Sequence, residues 1–360
     1  MRGAIFMIRK LFLVLGVVLC AGCNSSAVSD LVGLIDDPPR KTIDTSRLGT
    51  NAFANDARFG SPASQLAEVR DTLQLGFVRM LFAWSDSVQP APGAAPNFGF
   101  YDQLAAAIPA GIDAIVVLTG VPSWMSNSAN WSSGDPRATF VDLWVRRVAS
   151  RYASNGRIIG WQIWNEPNTP GNPDNVVLDV ADNPGNYVEL LARAFSTVKD
   201  ISPGKRVINA ATTAINQNFP ESLDYNRAMR DVGARDFTDV WAVHYYGKQY
   251  ENVVRDGGVR DFLNGLGKAI WLTESGEQGV NQQLEYGERT WPFLIDKIPG
   301  IERIYQYQFT EATAAESTYG LRNLTPGALV SDLYVYLKDR RLRAQDNLTR
   351  KRAFVSVDGS

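Results

Sequence analysis

Short β-branched and aromatic runs alternate with amphipathic helical stretches from about residue 47 to residue 340. Such alternation builds a parallel sheet with helical crossovers. The runs predict strands near Arg47–Asn51, Phe77–Phe82, Asp113–Leu118, Ile158–Trp164, Arg206–Ala211, Val240–Tyr245, Ala269–Thr273 and Ile301–Gln308. The 3.6-residue spacing of apolar positions predicts helices over Pro62–Leu75, Tyr101–Ala110, Arg137–Tyr152, Tyr187–Ile201, Ser222–Val232, Arg260–Leu266, Gln282–Ile298 and Gly327–Arg340. Eight strand–helix units point to a closed (β/α)8 TIM barrel over residues 47–340 rather than an open doubly wound sheet. No glycine-rich phosphate loop follows the first strand, which weakens a nucleotide-binding reading.

The two ends break the pattern. Arg9 and Lys10 precede an apolar run, Leu11 to Leu19, closed by Cys20-Ala21-Gly22-Cys23. A basic start, a short apolar stretch and small residues describe a secretory signal over residues 1–22. The run is short for a bilayer span. A buried helix is the other reading, but the run has no polar face. Its end resembles the lipobox of bacterial lipoproteins. That resemblance implies that Cys23 is lipidated and becomes the first mature residue. The protein is then expected to cross the inner membrane and stay in the cell envelope, in the periplasm or on the outer membrane. Cys20 stands where the lipobox usually has Leu, so cleavage without lipidation stays open. Residues 23–46 are rich in Ser, Asp and Pro and are expected to form a tether. Their apolar patch, Leu31 to Ile35, is a candidate to pack on the barrel. Residues 341–360 turn basic and are expected to be a solvated tail, with contact to an anionic membrane surface as the lesser reading.

Composition narrows the chemistry. Hydrophobic residues make up 45% and charged residues 21%, as in an ordinary globular protein. The net charge of −2 argues against nucleic acid as a main partner. Both cysteines lie at the N-terminal signal, so the barrel is expected to hold together through its core, without a disulfide. The single histidine, His244, rules out metal sites that need two histidines on one helix, and any Ser-His-Asp triad would have to use it. Nine Trp and thirteen Tyr exceed the needs of a core and suit a sugar-binding cleft. Chemistry must therefore be sought among carboxylates.

In such barrels the active site forms at the C-terminal ends of the strands. The fourth strand ends in Trp161-Gln162-Ile163-Trp164-Asn165-Glu166-Pro167-Asn168, and the seventh in Trp271-Leu272-Thr273-Glu274-Ser275-Gly276. Two carboxylates thus emerge at one rim. Acetal hydrolysis needs this pair, one to protonate the leaving oxygen and one to attack or stabilise the anomeric carbon. Trp161 and Trp164 are expected as apolar walls that keep an acid protonated near neutral pH.

These motifs resemble the retaining barrel glycosidases of clan A, most closely glycoside hydrolase family 39, with family 5 close behind. The resemblance spans roughly residues 47 to 340. It implies that Glu166 is the general acid/base, Glu274 the nucleophile, and Asn165 a hydrogen-bonding partner of the sugar 2-hydroxyl. His244-Tyr245-Tyr246 resembles the family's His-x-Tyr, which implies that Tyr246 holds Glu274. Arg79 matches an arginine that supports the nucleophile, and Trp124 in Pro122-Ser123-Trp124 is similar to a substrate-lining Pro-x-Trp. Tyr319-Gly320-Leu321 again resembles the family. The eighth strand reads Tyr305-Gln306-Tyr307-Gln308-Phe309 where the family carries a floor tryptophan, so Tyr307 or Phe309 stands in its place.

The expected activity is hydrolysis of a poly- or oligosaccharide, such as an exopolysaccharide or cell-surface glycan, by double displacement with no cofactor and no metal. A non-catalytic carbohydrate-binding barrel is the main alternative. A carboxylate–metal lyase would need acidic residues after strands three, five and six, and the sequence has none there. Blander readings also stand beside the sharp ones. Asn-Glu-Pro is good turn chemistry. His244 alone reads equally as structural, Arg79 as a rim ion pair, and Trp131 as loop packing. Glu277 and Glu311 also follow strands as lesser candidates to partner Glu166.

Overall fold

The computed structural model describes residues 37–340. The signal segment, Cys23, Leu31 to Ile35 and the basic tail lie outside the described residues.

Eight parallel strands close into a barrel in sequence order. They are β1 (Leu48–Asn51), β2 (Phe77–Ala83), β3 (Asp113–Thr119), β4 (Ile158–Ile163), β5 (Arg206–Asn209), β6 (Val240–Tyr246), β7 (Ala269–Gly276) and β8 (Ile301–Gln306). Pairing of Leu48 with Ile304 and of Thr50 with Gln306 seals β1 to β8. One main helix follows each strand. These are α1 (Pro62–Asp71), α2 (Gly99–Ala107), α3 (Pro136–Phe140 running through the π-helical Val141–Val145 into Arg146–Arg151), α4 (Pro184–Ile201), α5 (Glu221–Asp231), α6 (Val259–Asn264), α7 (Gln283–Lys297) and α8 (332–340). Ser61 caps α1 and Asp135 caps α3, each accepting from backbone N–H groups of the first turn. Among the described residues no helix is long and apolar enough to cross a membrane.

Alternation along the strands sorts the core into two parts. Outward residues such as Val78, Met80 and Phe82 join helix residues such as Leu66, Val69 and Leu104 in the main core. Inward residues Ile115, Ile208, Ala242, Trp271 and Tyr305 fill the lumen. Arg303 closes the lumen on the N-terminal side of that layer, its guanidinium 3.9 Å from the Phe77 ring centroid and 4.5 Å from that of Trp271. The lumen is thus filled up to the level where polar residues begin, and that leaves the upper rim for chemistry.

Two irregularities set that rim. In β4 the pairing with β3 slips between Ala114 and Ile115, which turns Gln162 inward and sends Trp161 and Ile163 outward. Gly160 sits at the slip, where an added Cβ would meet the Arg206 carbonyl oxygen at 2.8 Å. Gly160→Ala is therefore expected to cost about 1–3 kcal/mol by overpacking, read as a lower urea midpoint at unchanged slope. In β7 the pairing with β6 slips between Val243 and His244, which brings Glu274 level with His244. β7 consequently runs three residues beyond its expected end.

The expected tether overreaches at its C-terminal side. Residues 37–46 lie on the barrel: Ile43 is in the main core, Arg40 pairs with Glu288 of α7, and the Lys41 N–H donates to the Glu288 carbonyl at 2.8 Å. Burial of Ile43 and this backbone bond fix the segment, so residues 40–46 belong to the folded unit.

Candidate active site

Two residues beyond the apolar lumen layer, the inward positions become polar. Phe77 gives way to Arg79, Ala242 to His244 and Trp271 to Thr273, with Glu274 added by the bulge. Asn51 ends β1 at the same level.

Arg79 organises this layer. It is 1% exposed, and four of its N–H bonds end on four side chains. Its terminal nitrogens donate to Glu274 Oε1 at 2.6 Å, Asn51 Oδ1 at 2.7 Å and Asn165 Oδ1 at 2.7 Å, and its Nε donates to Gln162 Oε1 at 2.8 Å. The Tyr246 hydroxyl donates to the other Glu274 oxygen at 2.8 Å. Burial pushes the Glu274 carboxyl up, but His244, Arg79 and the Tyr246 hydroxyl together outweigh it and hold it below its ordinary value. Burial and then the Glu274 charge push the Tyr246 phenol well up, so it remains a donor.

Glu166 lies across from Glu274 and is more open, its side chain 31% exposed. Its backbone turns sharply: Trp164 and Glu166 both adopt left-handed φ, 74° and 45°. Non-glycine residues hold such angles only where surroundings enforce them. Here the Glu166 N–H donates to the Ala211 carbonyl at 2.9 Å, while Asn175 donates to the Glu166 carbonyl at 2.9 Å and accepts from the Trp164 indole at 2.7 Å. The turn aims Asn165 at Arg79 and Glu166 at His244. His244 lies between the pair, its Nδ1 hydrogen-bonded to Glu166 Oε1 at 2.9 Å and its Nε2 3.5 Å from Glu274 Oε1.

The expected residues Glu166, Glu274, Asn165, Arg79, His244 and Tyr246 therefore form one connected cluster. Arg79, which the resemblance implies supports the nucleophile, and His244 are 1% and 0% exposed and contact the two carboxylates from within the barrel. Tyr307 stands at the rim beyond β8. Its ring is edge-on to Tyr246 (6.2 Å), Tyr319 (5.8 Å) and Phe53 (6.0 Å), which makes an aromatic corner beside Glu274. Phe309 is fully buried in the core, so of the two candidates Tyr307 takes the rim position. Trp124 belongs to the loop after β3. Its indole N–H donates to the Gln89 carbonyl and its ring meets Trp84 edge-on, which ties it to the loop after β2. Trp131 is spent on loop packing, with its N–H on the Met125 carbonyl.

Trp161 and Trp164 are not walls of the site. Trp161 points outward into the main core, and Trp164 packs on Phe140 of α3 at 5.2 Å. The β4 slip turns Trp161 outward by giving the inward position to Gln162, and Trp164 leaves the barrel at the left-handed turn that follows the strand. Glu311 is no partner for Glu166 either, since it accepts from Thr318 and Tyr319 and holds its own loop. Sequence reasoning missed Asn51 and Gln162. The available signal was a lone polar residue inside an apolar strand, four positions before Glu166, and another at a strand end.

Donor atoms of Glu166, His244 and Glu274 lie within 4.8 Å of one another, close enough to test for a cation site. The residues do not fit one well. Arg79 already occupies Glu274 Oε1 at 2.6 Å and sets a fixed positive charge beside it.

A family model described as cellulase, glycosyl hydrolase family 5, matches residues 41–305. The chain belongs to glycosyl hydrolase family 5. Among curated proteins none matches it. The barrel of this family 5 chain is similar to that of a family 39 glycoside hydrolase from Bacteroides cellulosilyticus WH2, with TM-score 0.56 and 17% identity over 83% of this chain. This chain spans 64% of that enzyme's length. A family 39 β-xylosidase from Caulobacter crescentus gives TM-score 0.58 and 17% identity over 85% of this chain and 73% of that one. Endo-glycoceramidase II from a Rhodococcus species gives 0.54 and 16% over 84% and 81%. At such identities the likeness speaks for the barrel alone. Of the two families the motifs resemble, family 5 is the one the sequence match shows.

Proposed function

We propose that the protein is a retaining glycoside hydrolase with Glu274 as nucleophile and Glu166 as general acid/base. One observation carries this reading: an oxygen of Glu166 and an oxygen of Glu274 lie within 4.8 Å of each other. Double displacement uses carboxyl groups about 5–5.5 Å apart, whereas inversion needs about 6.5–9.5 Å to admit a water between them. The environments also divide the labour. Glu274 is buried against a guanidinium, a phenol and an imidazole and is kept ionised, as attack requires. Glu166 is the more open of the two, as exchange with leaving group and water requires.

In the first step the Glu274 carboxylate bonds to the anomeric carbon, the glycosidic C–O bond breaks, and the Glu166 proton passes to the departing oxygen. In the second, Glu166 takes a proton from water, the water oxygen bonds to the anomeric carbon, and the bond to Glu274 breaks. Arg79 fixes the Asn165 amide with its oxygen inward, which leaves the NH2 free to donate to a sugar hydroxyl. Tyr307 lines the sugar subsite that adjoins Glu274, and Trp124 an outer one.

Glu166→Ala is expected to slow hydrolysis of natural, poor leaving groups by about 10²–10⁴-fold. An activated aryl glycoside should lose far less in its first step, and azide should restore turnover as a glycosyl azide of retained configuration. No azide product with an accepted aryl glycoside would count against the role of Glu166. A glycan panel with NMR product analysis would name the substrate, for which we propose an exopolysaccharide or cell-surface glycan. We also propose export and anchoring through Cys23. A diacylglyceryl mass on the mature N-terminus supports this, and a water-soluble mature chain with a free Cys23 refutes it.

A further inference from the structure

Arg79 distributes four N–H bonds over one carboxylate, Glu274, and three neutral amide oxygens, those of Gln162, Asn51 and Asn165. Its Nε–H goes to Gln162, and the bonds of its two terminal nitrogens go to Asn51, Glu274 and Asn165. We propose that Gln162 is a positioning residue that orients Arg79 through a neutral acceptor and so reserves the whole guanidinium charge for Glu274. The proposal rests on the reading of Glu274 as the nucleophile.

The choice of amide is dictated on both sides. Gln162 is fully buried, and its Nε2 donates to the Asn209 carbonyl at 3.2 Å and lies 3.5 Å from Thr273 Oγ1. That donor leaves only Oε1 to face Arg79. A glutamate of the same shape would set a carboxylate oxygen against the Asn209 carbonyl, acceptor to acceptor. It would also give Arg79 a second anion to serve, at the expense of Glu274. The same Arg79 plane presents one terminal nitrogen to Asn51 and Glu274 and the other to Asn165, so a tilt at Nε would disturb the nucleophile and the sugar-binding amide together. The groups facing Glu274 are Arg79 from β2, His244 and Tyr246 from β6, and Tyr307 beyond β8, with Glu166 across from it. Of these Arg79 alone carries a permanent positive charge, so the partner of its Nε bears directly on when Glu274 ionises.

The test is a titration of the full chain carrying glutamate labelled with carbon-13 at Cδ, the Glu274 signal being assigned by its loss in Glu274→Gln. In Gln162→Glu the Glu274 midpoint should rise by about one pH unit. In Gln162→Met, which removes the acceptor and adds no charge, it should move by less than about half as much. An unshifted midpoint in Gln162→Glu, or equal shifts in both variants, overturns the proposal. Should Gln162→Glu fail to fold, Gln162→Met carries the test through the Arg79 Nε–H, whose exchange with water should quicken by about tenfold or more. Unchanged exchange overturns it. The titration reads the charge environment of Glu274 whatever the reaction, so its failure is distinct from a failure to find Glu274 attacking a sugar.

Discussion

Glu274→Gln should lower kcat by on the order of 10⁴-fold or more and leave the fold intact. The amide keeps the shape of the carboxylate. Its oxygen can still accept from Arg79, and its nitrogen can donate to the Tyr246 oxygen that now donates to Glu274. What disappears is the charge that, on the proposed mechanism, attacks the anomeric carbon. The loss should be the same for good and poor leaving groups, because no glycosyl-enzyme forms in either case. Glu166→Ala differs on that point, since an activated leaving group needs no proton. The two variants therefore give different leaving-group patterns, and steady-state rates on paired aryl glycosides would tell them apart. Turnover in Glu274→Gln equal to wild type would remove the hydrolase reading from this site.

Arg79→Met should damage stability and activity together. Removing one partner of a buried ion pair costs about 3–5 kcal/mol, because the other charge is left uncompensated. Here the oxygens of Gln162, Asn51 and Asn165 lose a donor as well. The pH dependence has a definite sign. Glu274 is held below its ordinary value in the folded protein, so its contribution to stability is present above the unfolded-state value and is lost as pH falls through the folded one. Without Arg79, burial acts on Glu274 with less opposition and its midpoint rises. The acid limb of kcat/KM should then move to higher pH, and the stability gap between variant and wild type should narrow toward acid. Urea unfolding at pH 4 and pH 7, with a pH–rate profile, reads both. An acid limb that stays in place would mean that Arg79 does not govern the ionisation of Glu274.

The barrel was legible because its strands are short β-branched runs and its helices carry an apolar stripe, so the periods switch cleanly. The pairing of Glu166 with Glu274 at one rim was legible because the rim rule turns position after a strand into position in space. What escaped depends on registers that period alone does not reveal. The slip in β4 turned Trp161 outward and Gln162 inward, against the expectation that tryptophans wall the acid. The slip in β7 lengthened that strand past Thr273 and set Glu274 beside His244. His244 read equally well as structural or functional, and it proves to be buried between the two carboxylates, hydrogen-bonded through Nδ1 to Glu166 with Nε2 3.5 Å from Glu274. The segment before β1 looked like tether because it is rich in Ser, Asp and Pro, yet one buried isoleucine and a backbone bond to α7 hold it down.

The central claim, attack by Glu274, is tested most directly by trapping the intermediate. The wild-type enzyme would be incubated with a panel of dinitrophenyl 2-deoxy-2-fluoro-glycosides and its peptides mapped by mass spectrometry. A single fluoroglycosyl adduct on Glu274, absent from Glu274→Gln, is the result expected. An adduct on another residue, or no adduct together with an inverted product by NMR, would contradict it.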